Sequence, residues 1–201
     1  MEIPSLQIDP NAKGNGIDKI AEAMLPDIGY AIDVGANNGI CLSNTKLFED
    51  KGWTVLCVEP NPMLSEEGRK NRKLWAQVAC GPTDAESIKF TCCGVYPWAA
   101  GSGFHAFTND LPKIDYEVPM RRLDTLLDEF KFPRIDLLSI DVEWAEMEVL
   151  RGIDLQKWKP KVIICEALAE MQAGELKAYL ISQQYDFVTA IEFDHLFKLR
   201  E

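Results

Sequence analysis

Histidine is nearly absent from this chain: His105 and His195 are the only two. Cysteine occurs six times but never as a Cys-x-x-Cys pair. With so few histidines and that spacing, a zinc cluster is not expected. No apolar run approaches the roughly 18–20 residues that span a bilayer. The N-terminus has no basic segment followed by an apolar one, so no secretory leader is expected. A reduced, cytoplasmic setting follows as the expectation. Positive charge is also short. Lys and Arg total 21 against 32 Asp and Glu, a net charge of −11. A chain so acidic has no broad field to draw nucleic acid or a membrane surface, and neither partner is expected. Two small basic clusters stand out, Arg69-Lys70-Asn71-Arg72-Lys73 and Arg121-Arg122. The first reads as a solvated helix end, where cations suit the helix dipole.

What is present is an ordinary globular composition, 47% hydrophobic and 26% charged, over 201 residues. That length fits one α/β domain with enough core to fold alone, so 1–201 is expected to be a single domain. Residues 1–16 read as an irregular arm, and 17–25 as a short amphipathic helix ended by Pro26; together 1–29 form the N-terminal arm and helix. Apolar runs at 30–34 and 54–59 predict two strands, with a helix between them at about 39–51 that Gly52 stops. Residues 63–72 read as helical. Residues 74–80 predict a third strand, broken by Gly81-Pro82, and 87–93 an added edge strand. Segment 94–116 is the longest irregular stretch and carries Trp98, Phe104, His105 and Phe107. A loop longer than about 12–15 residues is more often functional than filler, so 94–116 is a candidate lid.

Leu123, Leu126, Leu127 and Phe130 mark a helix with one buried face. The run 135–140 is apolar on both faces, as a central parallel strand should be, and ends in Asp141. A helix at 146–151 and a strand at 162–165 follow. Cys57 and Cys165 lie in such apolar runs and read as buried thiols. Leu176, Tyr179 and Leu180 mark one more helix. Strands at 186–191 and 195–199 have no helix between them and are expected to be antiparallel.

The most informative stretch is Asp33-Val34-Gly35-Ala36-Asn37-Asn38-Gly39, followed one strand later by Val58-Glu59-Pro60-Asn61. A strand, a glycine turn, a helix and a second strand ending in an acid are the parts of a nucleoside-binding βαβ unit. A dinucleotide site usually shows Gly-x-Gly-x-x-Gly, whereas only Gly35 and Gly39 are present. S-adenosylmethionine has no pyrophosphate to cradle, so it needs fewer glycines and is the expected cofactor. In parallel sheets the ligand lies outside the carboxyl ends of the strands, where Asp33, Glu59, Asp141 and Glu166 should converge. Glu59 is placed to accept bonds from ribose hydroxyls. Asp33 is placed to hold an ammonium, and the helix opening near Gly39 to offer N–H groups to a carboxylate.

These motifs, together with Arg122-Leu123-Asp124-Thr125-Leu126-Leu127, Ile140-Asp141-Val142-Glu143-Trp144-Ala145-Glu146 and Val149-Leu150-Arg151-Gly152, resemble the FkbM-type family of S-adenosylmethionine-dependent methyltransferases over roughly 31–167. The resemblance implies a Rossmann-like class I methyltransferase fold. Its sheet would be mostly parallel and seven-stranded, with an antiparallel C-terminal strand and helices on both faces. It also implies methylation of oxygen in small molecules or sugars. The candidate cofactor residues are Asp33, Gly35, Ala36, Asn37, Gly39, Glu59, Pro60, Asn61, Ala79 and Asp141. The family usually has glycine where this chain has Trp144. An indole there would either reshape the acceptor pocket or turn outward and pack on the loop.

Methyl transfer to a hydroxyl needs alignment and a base near the attacking oxygen. Asp141 and Glu143 are the leading candidates, followed by His105 in the aromatic loop, whose ordinary pKa near 6.5 suits a base. The same carboxylates could hold Mg²⁺ and polarise a diol, but nothing else in the sequence points to a metal. Two alternatives compete. One is a non-catalytic module of the same fold. The other is a nicotinamide-dependent oxidoreductase, weakened by the missing third glycine and the lack of a Tyr-x-x-x-Lys pair.

Overall fold

A computed structural model describes residues 15–93 and 112–200. The elements run α1 (Ile17–Glu22), β1 (Tyr30–Val34), α2 (Lys46–Asp50), β2 (Thr54–Val58), α3 (Pro62–Asn71), β3 (Leu74–Ala76), β4 (Ala79–Cys80) and β5 (Ala85–Cys93). They continue with β6 (Lys113–Arg121), α4 (Leu123–Glu129), β7 (Leu137–Ile140), α5 (Glu146–Arg151), α6 (Leu155–Trp158), β8 (Val162–Glu166), α7 (Glu170–Ser182), β9 (Tyr185–Ile191) and β10 (Asp194–Leu199).

Seven strands form one sheet in the order β3-β2-β1-β7-β8-β10-β9. The pairs β2–β3, β1–β2, β1–β7 and β7–β8 are parallel, and β10 is antiparallel to both β8 and β9. This is the expected α/β, Rossmann-like class I sheet. The chain first builds outward from β1 through β2 to β3, then returns to the other side of β1 with β7. That reversal opens a crevice at the carboxyl ends of β1 and β7.

Strand period two distributes each apolar run to both faces. Ile32, Val34, Leu56, Val58, Leu138, Ile140 and Ile163 pack under Leu123, Leu126 and Leu127 of α4, Val149 and Leu150 of α5, and Leu176 and Leu180 of α7. Ala31, Val55, Leu137, Val162, Ile164 and Leu196 pack on the opposite face against Ile17 and Ala21 of α1 and Phe48 of α2. Cys57 and Cys165 are fully buried, as their apolar runs imply. Among the described residues, no helix is long and apolar enough to cross a membrane.

Four expectations are corrected. The helix after the glycine turn starts at Lys46, not near Gly39; residues 35–45 are turns and bends. The stretch 74–80 is two strands, because β4 leaves the main sheet and pairs with β6 in a second sheet ordered β4-β6-β5. Lys113 to Tyr116 belong to β6 and not to an irregular loop. Arg72 is not part of a solvated helix end, since its side chain is fully buried.

Candidate functional site

A cavity of about 240 Å³ opens at the carboxyl ends of β1, β2, β7 and β8. Asp33, Gly35, Ala36, Asn37, Glu59, Pro60, Asp141 and Glu143 line it, so most of the predicted set is brought together. The sequence reading missed Cys41, Leu42, Ser43, Asn44, Leu64, Phe90 and Ser139, which also line it. Ser139 had a signal: it is the polar residue inside the apolar run of β7. The others depend on how a loop folds or, for Phe90, on where the second sheet docks.

Three predicted residues lie off the cavity wall. Asn61 caps α3, accepting from the Met63 amide at 3.0 Å, with Pro62 in the first turn, which suits a residue lacking an amide hydrogen. Gly39 has φ +82°, and a Cβ there would sit 2.6 Å from Arg72 Cγ, so the protein's own packing already requires its smallness. Ala79 lies in the second sheet. His105, Trp98, Phe104 and Phe107 lie outside the described residues.

Gly35 has a similar internal purpose. Its φ is +85°, and a Cβ would stand 1.6 Å from the Asp141 carbonyl oxygen. The turn after β1 is pressed onto the turn after β7, and the Gly35 and Ala36 amides both donate to the Val58 carbonyl. Only glycine allows both the left-handed angle and that approach.

Glu59 is buried and fixed by its own neighbourhood. Its Oε1 accepts from the Asn61 amide at 2.8 Å and its Oε2 from the Asn37 amide at 3.1 Å. Burial pushes its pKa from 4.5 to about 7, against the lowering effect of those two amides. Each carboxylate oxygen still has a lone pair for a hydroxyl donor.

At the ends of β7 and β8 the acids crowd. Burial, then the charge of Glu143, push Asp141 well above the carboxylate range. Burial also lifts Glu143 to about 7, and burial together with Asp141 lifts Glu166 to about 11. Among the described residues, Glu166 Oε2 is buried without a hydrogen-bond partner. Asp141, Glu143 and Glu166 each offer an oxygen within 4.8 Å of the others, a spacing at which a metal ion could be held. Glu146, the last acid of that motif, has a structural task. It accepts from the Val142 amide at 3.1 Å and from Gln172 of α7, locking the turn that presents Asp141.

Trp144 is 42% exposed, does not line the cavity, and has φ +82°. That left-handed angle is one that glycine adopts without strain, so the indole sits on a backbone that favours glycine. Asp124 of the Arg-Leu-Asp motif is likewise structural: it accepts from Trp158 Nε1 at 2.9 Å and from the Asp154 amide at 3.1 Å, tying α4 to α6.

Known proteins with this pattern agree. Methyltransferase 1 of Beauveria bassiana (strain ARSEF 2860) is 28% identical over 88% of this chain and 79% of its own. Methyltransferase sdnD of Sordaria araneosa is 40% identical, but over only 23% of this chain and 21% of its own. Among solved structures, the precorrin-6y C5,15-methyltransferase of Geobacter metallireducens GS-15 superposes with a TM-score of 0.51 at 12% identity. It covers 98% of this chain and 96% of that one, a likeness of fold alone. The sequence pattern of the methyltransferase FkbM domain matches residues 33–189, which is most of the chain, and the chain belongs to that family of methyltransferases.

Proposed function

We propose that this chain transfers a methyl group from S-adenosylmethionine to a hydroxyl oxygen of a small-molecule or sugar-like acceptor. The observation that carries the reading is the chemistry of the cavity wall. Three strands deliver Asp33, Glu59 and Asp141 to one crevice at the sheet's reversal point. Such a wall suits a ligand with a ribose diol and two positive centres, an ammonium and a sulfonium. Glu59 would receive the ribose hydroxyls, and Asp33 the ammonium. When bound, the cofactor supplies an electrophilic methyl group.

The chain's own part is to hold the acceptor and its proton. Glu143, lifted to about 7, is a base matched to neutral pH. It would take the proton that the acceptor hydroxyl gives up as its oxygen gains the methyl group. Burial and the like charges around them raise both Asp141 and Glu166, which favours protonated forms and limits the negative charge of the site. The net charge of −11 supports a small molecule over nucleic acid as the acceptor.

Calorimetric titration with S-adenosylhomocysteine tests the cofactor. Affinity on the order of micromolar is expected, lost in Glu59→Ala and weakened in Glu59→Gln, which keeps one acceptor oxygen. Tighter binding of NAD⁺ would favour the oxidoreductase. Homocysteine-nucleoside binding without transfer to any hydroxyl-bearing acceptor would favour the non-catalytic module.

A further inference from the structure

The segment 35–45 has no regular structure, and its start is tied to β2 through the Val58 carbonyl and Glu59. Gly35, Asn37, Gly39 and Leu42 all have left-handed φ angles, +85°, +52°, +82° and +54°. Two backbone bonds within it are Gly39 to the Ala36 carbonyl and Ser43 to the Ile40 carbonyl. Even so, residues 35–37 and 41–44 line the cavity. A non-regular loop positioned so closely needs a fixed point outside itself.

For its second half, 39–45, Arg72, the residue after α3, is such a point. Its Nη1 donates to the Gly39 carbonyl at 2.8 Å and to Ser43 Oγ at 3.1 Å, and its Nη2 donates to Thr45 Oγ1 at 2.7 Å. Its Nε lies 3.0 Å from Glu49 Oε2 in α2. The two hydroxyls that accept from Arg72 pass the connection on. Ser43 Oγ and Thr45 Oγ1 both donate to Asp33 Oδ2, at 3.0 Å and 2.5 Å. The guanidinium itself is 3.7 Å from that oxygen. Asn71 adds a bond to the Asn38 carbonyl at 2.8 Å.

The charges do not cancel. Two buried carboxylates, Asp33 and Glu49, face one buried guanidinium, so one negative charge is left over beside the cavity. Both hydroxyl bonds fall on Oδ2, which leaves Asp33 Oδ1 outside the network. We infer that Arg72 is a positioning residue for the cofactor's amino-acid end: through Ser43 and Thr45 it fixes the Asp33 carboxylate that meets the ammonium. This inference rests on the cofactor proposed above. A purely structural Arg72 would instead support the whole loop, and every part of a bound nucleoside would feel its loss alike.

Two probes separate these roles. S-adenosylhomocysteine carries the amino-acid end, and 5′-methylthioadenosine lacks it. Calorimetry of the full chain and of Arg72→Lys, Thr45→Val and Asp33→Asn, with each variant's melting temperature, gives the comparison. Thr45→Val keeps every charge and removes only one relay, so it remains informative if Arg72→Lys fails to fold. Each variant is expected to weaken the homocysteine nucleoside by about 10–30-fold and methylthioadenosine by less than about 3-fold. Arg72→Lys combined with Asp33→Asn should lose little more than either alone, as coupled residues do. Equal losses for both probes, or no loss for either, would overturn the inference while leaving the cofactor reading intact. If the unaltered chain bound neither probe, the cofactor reading would fail and the inference with it.

Discussion

Asp136 and Asp141 bracket the same four-residue strand, β7, and live in opposite surroundings. Asp136, at the amino end, is fully buried and receives Arg134 Nε at 2.9 Å, Lys161 Nζ at 3.0 Å and the Tyr30 amide at 3.1 Å. Its cations reach in from half-exposed positions, so the acid is neutralised where it sits. Asp141, at the carboxyl end, is ringed by Glu143, Glu166, Asp194 and Glu146. One end of the strand is arranged for stability. The other concentrates like charge at a cost that only a proton or a cationic ligand relieves.

Substitutions can break or sharpen this contrast. The largest loss is expected from Gly35→Ala, which forces a Cβ into the Asp141 carbonyl and strains a left-handed residue. Denaturant unfolding should show a destabilisation of about 4 kcal/mol, and ligand binding should vanish with the seam. Asp136→Ala should cost about 2–3 kcal/mol, because the Tyr30 amide loses its acceptor, yet leave cofactor affinity within about 2-fold. If affinity fell in parallel with stability, the two ends would not be separable.

The pH dependence should carry the signature of the carboxyl end. Glu143 and Glu59 are each raised from 4.5 to about 7, so the folded state binds their protons more tightly than the unfolded one. Their stabilising contribution is complete below about 4.5 and is lost as pH rises through about 7. The melting temperature is therefore expected to fall between pH 5 and pH 8, with a shallower fall in Glu143→Gln. A variant slope equal to that of the unaltered chain would place the strain elsewhere. The smallest effect is expected from Trp144→Gly: relief of the left-handed angle should stabilise by about 1 kcal/mol in denaturant unfolding.

The strands that build the crevice were legible because each is an apolar run ending in an acid. Tyr30–Val34, Thr54–Val58 and Leu137–Ile140 are buried on both faces and need no distant partner to be recognised. The helix expected from Gly39 was misread for a physical reason. The Gly39 carbonyl is taken by Arg72, 33 residues away, and no local pattern announces that. The same contact buries Arg72, while Arg69, Lys70 and Lys73 of that basic cluster stay exposed as expected. Strand β6 was hidden because it alternates between exposed and half-buried positions and contains Pro119, so its apolar signal is weak. In the site, the acids could be named from sequence, but their tasks could not. Glu146 and Asp124 turned out to brace the fold, and Glu166 to share the strain of Asp141.

Strand β10 has a further consequence, for the order of synthesis. It lies between β8 and β9 although it follows both in the chain. During vectorial synthesis, β9 therefore has no place in the sheet until β10 has emerged. Until then β8 offers an open edge, and β8 carries Glu166. Asp194, which β10 brings to the acidic cluster, also anchors Asn15 at 2.9 Å and Asn44 at 3.4 Å. A half-made chain thus exposes a pairing edge beside an unfinished site, and the same late strand that completes the sheet completes the charge pattern.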